Sequence, residues 1–219
     1  MMIMNHGILF EVDGVRRHTL DDWGLFLSPV EIPYPEPKTR YVEIEGGNGS
    51  IDLTEAFGKI YYKNRSFSIT LGCSDKLRYD ERLREIAAFL HGKEVKMTFY
   101  FDNGYYYKGR VTLNKYTSSK ALGELSLDVE VEPFKYKEHT TVAINIVDTK
   151  VVVVYKNERM EVTPIFKADS PMIFEFKGNL YALSTKETIF ADIEFQEGDN
   201  VITWQGNGTV SVMYQEGAF

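Results

Sequence analysis

The chain has 219 residues, 43% hydrophobic and 26% charged, a globular composition long enough for one large or two small domains with real cores. Its formal charge of −7 argues against a general nucleic-acid-binding surface, which needs clustered Lys and Arg on phosphate. Cys73 is the only cysteine, so no intrachain disulfide can form, as suits synthesis in a reducing cytoplasm. No run approaches the roughly 20 apolar residues of a membrane span.

Residues 1–10 are partly apolar but show no basic region and no small-residue cleavage site, so no signal peptide is expected. Ile8 to Val12 reads as extended, Asp13-Gly14 as a tight turn and Val15 onward as the returning strand of a hairpin, because glycine tolerates positive φ. After the apolar run Trp23 to Leu27, Pro29, Pro33, Pro35 and Pro37 remove backbone donors and favour an extended arm over a central strand. Tyr41–Glu45 alternates, which predicts one buried face holding Val42 and Ile44, and Gly46-Gly47-Asn48-Gly49 follows as a turn. In Ser66–Leu71 the buried face holds Phe67, Ile69 and Leu71.

One helix is predicted from about Arg78 to His91, with Leu83, Ile86, Ala87 and Leu90 on one face and Gly92 as its left-handed stop. Strands return at Glu94–Phe101, with Val95, Met97, Phe99 and Phe101 on one side. Asp102-Asn103-Gly104 turns the chain, and Tyr105 to Leu113 pairs back. Leu122–Glu132 has the clearest period of two: Leu125, Leu127, Val129 and Val131 alternate with Glu124, Ser126, Asp128, Glu130 and Glu132, a half-buried strand with an acidic outer face.

Pro133 to Thr140 is charged and aperiodic, which places a boundary there and gives domains 1–136 and 137–219. Strand-like runs follow at Val142–Val147, Val151–Tyr155, Met160–Phe166, Ile173–Phe176, Leu180–Leu183, Thr188–Phe195, Val201–Trp204 and Thr209–Tyr214. Short strands at this spacing suggest a small β-sandwich or jelly roll. The fold class is mainly β, in two β-sandwich-like domains, the first with one α-helix and a β-hairpin arm.

Signals for chemistry are weak. His6, His18, His91 and His139 stand far apart and in no metal-ligand spacing. No nucleophile elbow or phosphate loop occurs, and the glycine run at Gly46–Gly49 lacks the lysine of the latter. Cys73 reads as a small structural thiol. The acids Asp52 and Glu55 are close in sequence, and Glu124, Asp128, Glu130 and Glu132 share a strand face; two carboxylates can hydrolyse glycosides, but a solvated outer face is the ordinary reading. A functional reading of that face is an electronegative lining that repels passing DNA. Tyr105, Tyr106 and Tyr107 cannot form one stacking platform, because neighbours on a strand alternate faces. Trp204 and Tyr214 read as core residues of the last domain, although an exposed Trp204 would suit carbohydrate stacking. Catalytic residues, metal ligands and cofactor sites are therefore expected to be none.

An ordered set of segments resembles a known family. It comprises Asp22-Trp23-Gly24-Leu25-Phe26-Leu27-Ser28-Pro29, the stretch from Val42 to Glu55, Tyr61-Tyr62-Lys63-Asn64-Arg65, Phe89-Leu90-His91-Gly92-Lys93, Gly104-Tyr105-Tyr106-Tyr107-Lys108-Gly109-Arg110-Val111 and Pro133-Phe134-Lys135-Tyr136. In this order and spacing they resemble the distal tail proteins of long-tailed, non-contractile phages and their prophage copies, over about residues 20–137. Glu45 stands where that family often has proline.

The resemblance implies a structural, non-enzymatic virion protein, made in the host cytoplasm, that forms a homohexameric ring at the end of the tail tube. Implied partners are the tail tube protein, a tail-associated hub protein and, in some relatives, a receptor-binding protein held by a galectin-like second domain. DNA would transit a channel lined by the first domains, without membrane contact or specific nucleic-acid binding. The alternative is a carbohydrate-binding adhesin acting through the second domain, which folds do not establish by themselves.

Overall fold

The computed structural model describes residues 7–73, 79–102, 104–118, 123–138, 140–147 and 150–219. Chain contacts divide it into two units, residues 1–133 and 134–219. His6, Arg78 at the expected helix start, the predicted turn residue Asn103, Leu122 at the start of the acidic strand and His139 lie outside the described residues.

The first unit opens with β1 (Ile8–Val12) and β2 (Val15–His18), joined by Asp13-Gly14 at φ 50° and 77°, the positive values a two-residue hairpin turn requires. β3 (Phe26–Leu27), β4 (Tyr41–Glu43), β5 (Ser50–Asp52), β6 (Arg65–Cys73), α1 (Tyr79–Leu90), β7 (Lys93–Phe99), β8 (Tyr105–Ser118) and β9 (Gly123–Lys137) follow. One sheet runs β2-β1-β7-β8-β9-β6-β3, and its pairs are antiparallel wherever a register is defined. Alternate residues fill one core: Ile8, Phe10 and Val12; Phe67, Ile69 and Leu71; Val95, Met97 and Phe99; Leu125, Leu127, Val129 and Val131. Each such side chain contributes about 1.5–3 kcal/mol by leaving water.

A single flat sheet has no second layer to cover that face, so it curls. β7 and β6 are separated by β8 and β9, which in a flat sheet sets them roughly 14 Å apart. The Phe67 and Phe99 rings nevertheless lie 6.4 Å apart, and the Arg65 guanidinium sits 5.1 Å from the Tyr107 ring across the same space. α1 closes the remaining side with Ile86 and Leu90 fully buried, Phe89 meeting the Trp23 ring edge-on at 5.8 Å. Gly92, at φ 73°, ends the helix, and its N–H donates to the Val111 carbonyl.

The proline-rich arm is docked at intervals. Ser28 N–H donates to the Thr70 carbonyl, Val30 and Ile32 pack on the core, and Lys38 and Lys63 N–H groups bond to the Tyr61 and Glu36 carbonyls. Between these contacts β4 and β5 form a two-stranded sheet of their own, pairing Tyr41↔Asp52, Val42↔Ile51 and Glu43↔Ser50. The expected buried face here is overturned: Val42 is 43% and Ile44 47% exposed. Alternation marks a face but not a cover, and a free two-stranded ribbon has none. Phe101 is likewise 52% exposed, because β7 ends at Phe99 and Phe101 falls in the turn.

β9 runs through Pro133 as one strand, and its residues from Phe134 belong to the second unit. There β10 (Thr140–Ile146), β11 (Val151–Asn157), β12 (Ile165–Ala168), β13 (Met172–Phe176), β14 (Asn179–Leu183), β15 (Thr188–Ile189), β16 (Gly198–Gln205), β17 (Gly208–Tyr214) and β18 (Gly217–Ala218) succeed one another. They form two four-stranded sheets, β10-β17-β12-β15 and β11-β16-β13-β14, sharing one core around Phe166, Phe174, Phe195 and Trp204. The runs expected at Met160–Phe166 and Thr188–Phe195 are mostly irregular. Pro164 lacks a ladder donor, and Phe190, Ile193 and Phe195 pack into the core from irregular chain instead of a ladder. β18 pairs with Lys135–Tyr136 of β9.

Candidate functional site

The acidic strand face is real. Glu124, Asp128 and Glu130 are exposed and Glu132 is at least partly so, on the side of β9 opposite Leu125, Leu127, Val129 and Val131. The register sets Ser66 beside Glu130 and Ser68 beside Asp128. Ser68 Oγ donates to Asp128 Oδ1 at 2.9 Å, and Asn64 Nδ2 donates to Glu130 Oε1 at 3.1 Å. A shallow depression of about 400 Å³ lies over Ser66, Ser68, Arg110, Thr112, Asp128 and Glu130.

The face is not uniformly negative. β8 neighbours β9 and supplies Lys108, whose Nζ lies 3.3 Å from both Glu94 Oε1 and Glu132 Oε1. The hydrogen bond to Glu94, then the charge of Glu132, raise the Lys108 pKa and hold it protonated. Further along, Lys96 pairs with Glu11 at 3.6 Å and lies over the Tyr106 ring. The sequence motif holding Lys108 and Arg110 marks these residues, but their place beside the acids depends on β8 pairing with β9, which no spacing reveals.

The other candidates do not converge. Trp204 has no exposed surface; its indole N–H donates to the Tyr155 hydroxyl at 3.1 Å, and the ring packs 4.7 Å from Phe174. The sugar-stacking expectation is therefore corrected: its strand directs the indole inward, at an alternate position of β16, where an apolar ring leaves water. Asp52 is exposed, and its carboxylate accepts from the Thr54 N–H at 2.8 Å; Thr54's hydroxyl and backbone hydrogen bonds keep its pKa below the usual value. These bonds give the Asp52 carboxylate a turn to hold, not a partner acid for hydrolysis. Tyr106 and Tyr107 are both buried on opposite faces, Tyr107 donating to Asp102. Cys73 is buried. Among the described residues there is no group of three or more His, Cys, Asp or Glu placed to hold a metal, and no helix long and apolar enough to cross a membrane.

The geometry defines a class: a mainly β scaffold of two units whose polar side chains stand in rows on sheet faces. No family model and no curated protein matches the sequence. The chain does share its fold with a solved structure, the SPP1 Dit protein, presented as a paradigm of the hub adsorption apparatus in phages infecting Gram-positive bacteria. The TM-score is 0.66 at 14% identity, over 97% of this chain and 99% of that one. The resemblance read from the sequence thus has a counterpart in three dimensions.

Proposed function

We propose that this chain is the distal tail protein of a phage: the subunit of a homohexameric hub ring, with no catalytic activity, that joins the tail tube to the tail tip. The observation behind this reading is the likeness to the SPP1 Dit fold across both units, which extends the sequence resemblance beyond residue 137 to nearly the whole chain. In this reading residues 1–136 form the ring, and residues 137–219 face outward, where a receptor-binding protein can be held. The row Glu124, Asp128, Glu130 and Glu132 lines the channel and repels DNA phosphates in transit. The tail tube protein and a tail-associated hub protein dock on opposite sides, and the protein resides in the virion after synthesis in the host cytoplasm.

A symmetric ring needs heterologous contacts that close. Native mass spectrometry and electron microscopy of the purified protein, and of tails containing it, are expected to show a six-fold ring with an open pore. A strict monomer in solution together with its absence from tails would reject the assignment. The adhesin reading would require an exposed sugar platform, and buried Trp204 does not provide one.

A further inference from the structure

The β4–β5 ribbon is exposed along its whole length, and it is apolar on one face. Val42 and Ile51 are cross-strand partners and Ile44 continues their face, at 43%, 51% and 47% exposure. A two-stranded ribbon with an uncovered aliphatic face is marginal in water, and exposed apolar surface concentrated in one place marks a contact. Residues 41–55 contain Glu43, Glu45, Asp52 and Glu55 and no Lys or Arg. Two ribbons therefore repel each other, and the surface that covers one must be apolar with basic edges.

The same unit presents such a surface. A groove of about 750 Å³ lies between α1 and the strands β8 and β9; among the described residues its floor includes Leu83, Ala87, Leu113 and Leu125, and its rim Arg84 and Lys115, with no acid. No residue of the ribbon lines it. The two surfaces belong to opposite ends of the sheet. β6 and β9 pair from Arg65↔Val131, next to the segment leading from the ribbon, to Cys73↔Gly123, next to Leu125 in the groove. Strand β6, with nine residues, spans roughly 30 Å.

From this juxtaposition we infer that the β4–β5 ribbon of one copy docks in the α1/β8/β9 groove of the next copy, apolar face inward and acids toward Arg84 and Lys115. Because the two surfaces differ, the contact is head-to-tail, the type that builds rings when it closes. The inference rests on the ring reading and names the contact that would build it.

The test uses full-length protein with buried Cys73 left in place. Val42→Cys and Ala87→Cys are made separately and together, then oxidised. The mixture of single variants is expected to give a covalent dimer that neither gives alone, and the double variant a ladder ending at the size of the native assembly. Separately, Glu43→Lys with Glu45→Lys is expected to weaken assembly about tenfold or more in sedimentation. Adding Arg84→Glu and Lys115→Glu to the same chain should restore it, with circular dichroism unchanged throughout because all four charges are exposed. A ring that forms with no disulfide between the two introduced thiols, or a dimer from Val42→Cys alone, overturns the inference and leaves the ring reading intact. Failure of the wild-type chain to assemble at any concentration, and its absence from tails, overturns both.

Discussion

At the scale of single residues, the tightest constraint in the first unit is Gly109. A Cβ there would overlap the Glu130 carbonyl oxygen and the Val131 Cα, both backbone atoms that cannot turn aside. Gly109→Ala should therefore cost about 3 kcal/mol or more, read as a lowered midpoint in chemical denaturation; a loss under about 0.5 kcal/mol would refute the close approach of β8 to β9. In the second unit Tyr155 is buried against Trp204, and burial pushes its pKa up to about 12 from 10. The folded state then holds the phenolic proton more tightly than the unfolded chain. Nothing is lost while both remain protonated, below pH 10; as pH rises from 10 to 12 the unfolded state ionises first, and stability falls by up to about 2–3 kcal/mol. Alkaline melts monitored by near-ultraviolet circular dichroism should show this decline, and Tyr155→Phe should make it shallower without abolishing it, because burial raises the Tyr107 and Tyr214 phenols as well. Trp204 itself was legible as a core residue from its strand position, whereas the hydrogen bond that satisfies its N–H was not, since Tyr155 comes from a different strand.

At the scale of elements, the end of the chain fastens the entry to the second unit. Lys137 Nζ lies 2.5 Å from Glu158 Oε1 and 2.6 Å from Glu216 Oε2, and Glu216 is buried. Around this ion pair β18 pairs with Lys135–Tyr136, and Phe219 stacks on Phe134 at 5.2 Å. Glu216 is buried but Lys137 is a third exposed, so Lys137→Met, which leaves the Glu216 carboxylate without its cation where water still has some access, should destabilise the second unit by about 1–3 kcal/mol. Glu216→Gln, which keeps hydrogen-bonding groups and removes the charge, should cost clearly less; equal losses in thermal melts would argue against the pairing. Sequence periodicity did not find β18, since Gly217-Ala218 is too short to show any. It did find α1 almost residue for residue, because Leu83, Ile86 and Leu90 recur with the helical period and Gly92 stops it. The ribbon β4–β5 shows the opposite outcome: its alternation was visible, but the burial inferred from it was wrong.

At the scale of the molecule, the acidic row on β9 is the feature through which the hub reading meets physical measurement. Replacing Glu124, Asp128 and Glu130 by Gln, Asn and Gln removes exposed charges that contribute little to folding, so stability should stay within about 1 kcal/mol. Retention of double-stranded DNA by the assembled protein at low salt should rise in the variant and vanish again on adding salt. Unchanged retention would show that this face does not meet DNA. The formal charge of −7, the period-two faces, the helix α1, the Asp13-Gly14 turn and the lack of any ligand-spacing motif were set by the sequence alone, because composition, side-chain alternation and turn chemistry are local properties of the chain. Tertiary structure alone decided that the long sheet curls until Phe67 meets Phe99, that Lys108 stands among the acids, that the Tyr155 hydroxyl accepts from the Trp204 indole and that Val42, Ile44 and Ile51 are left uncovered. Those outcomes depend on strand order and on which surface covers which, and both arise from contacts between residues far apart in sequence.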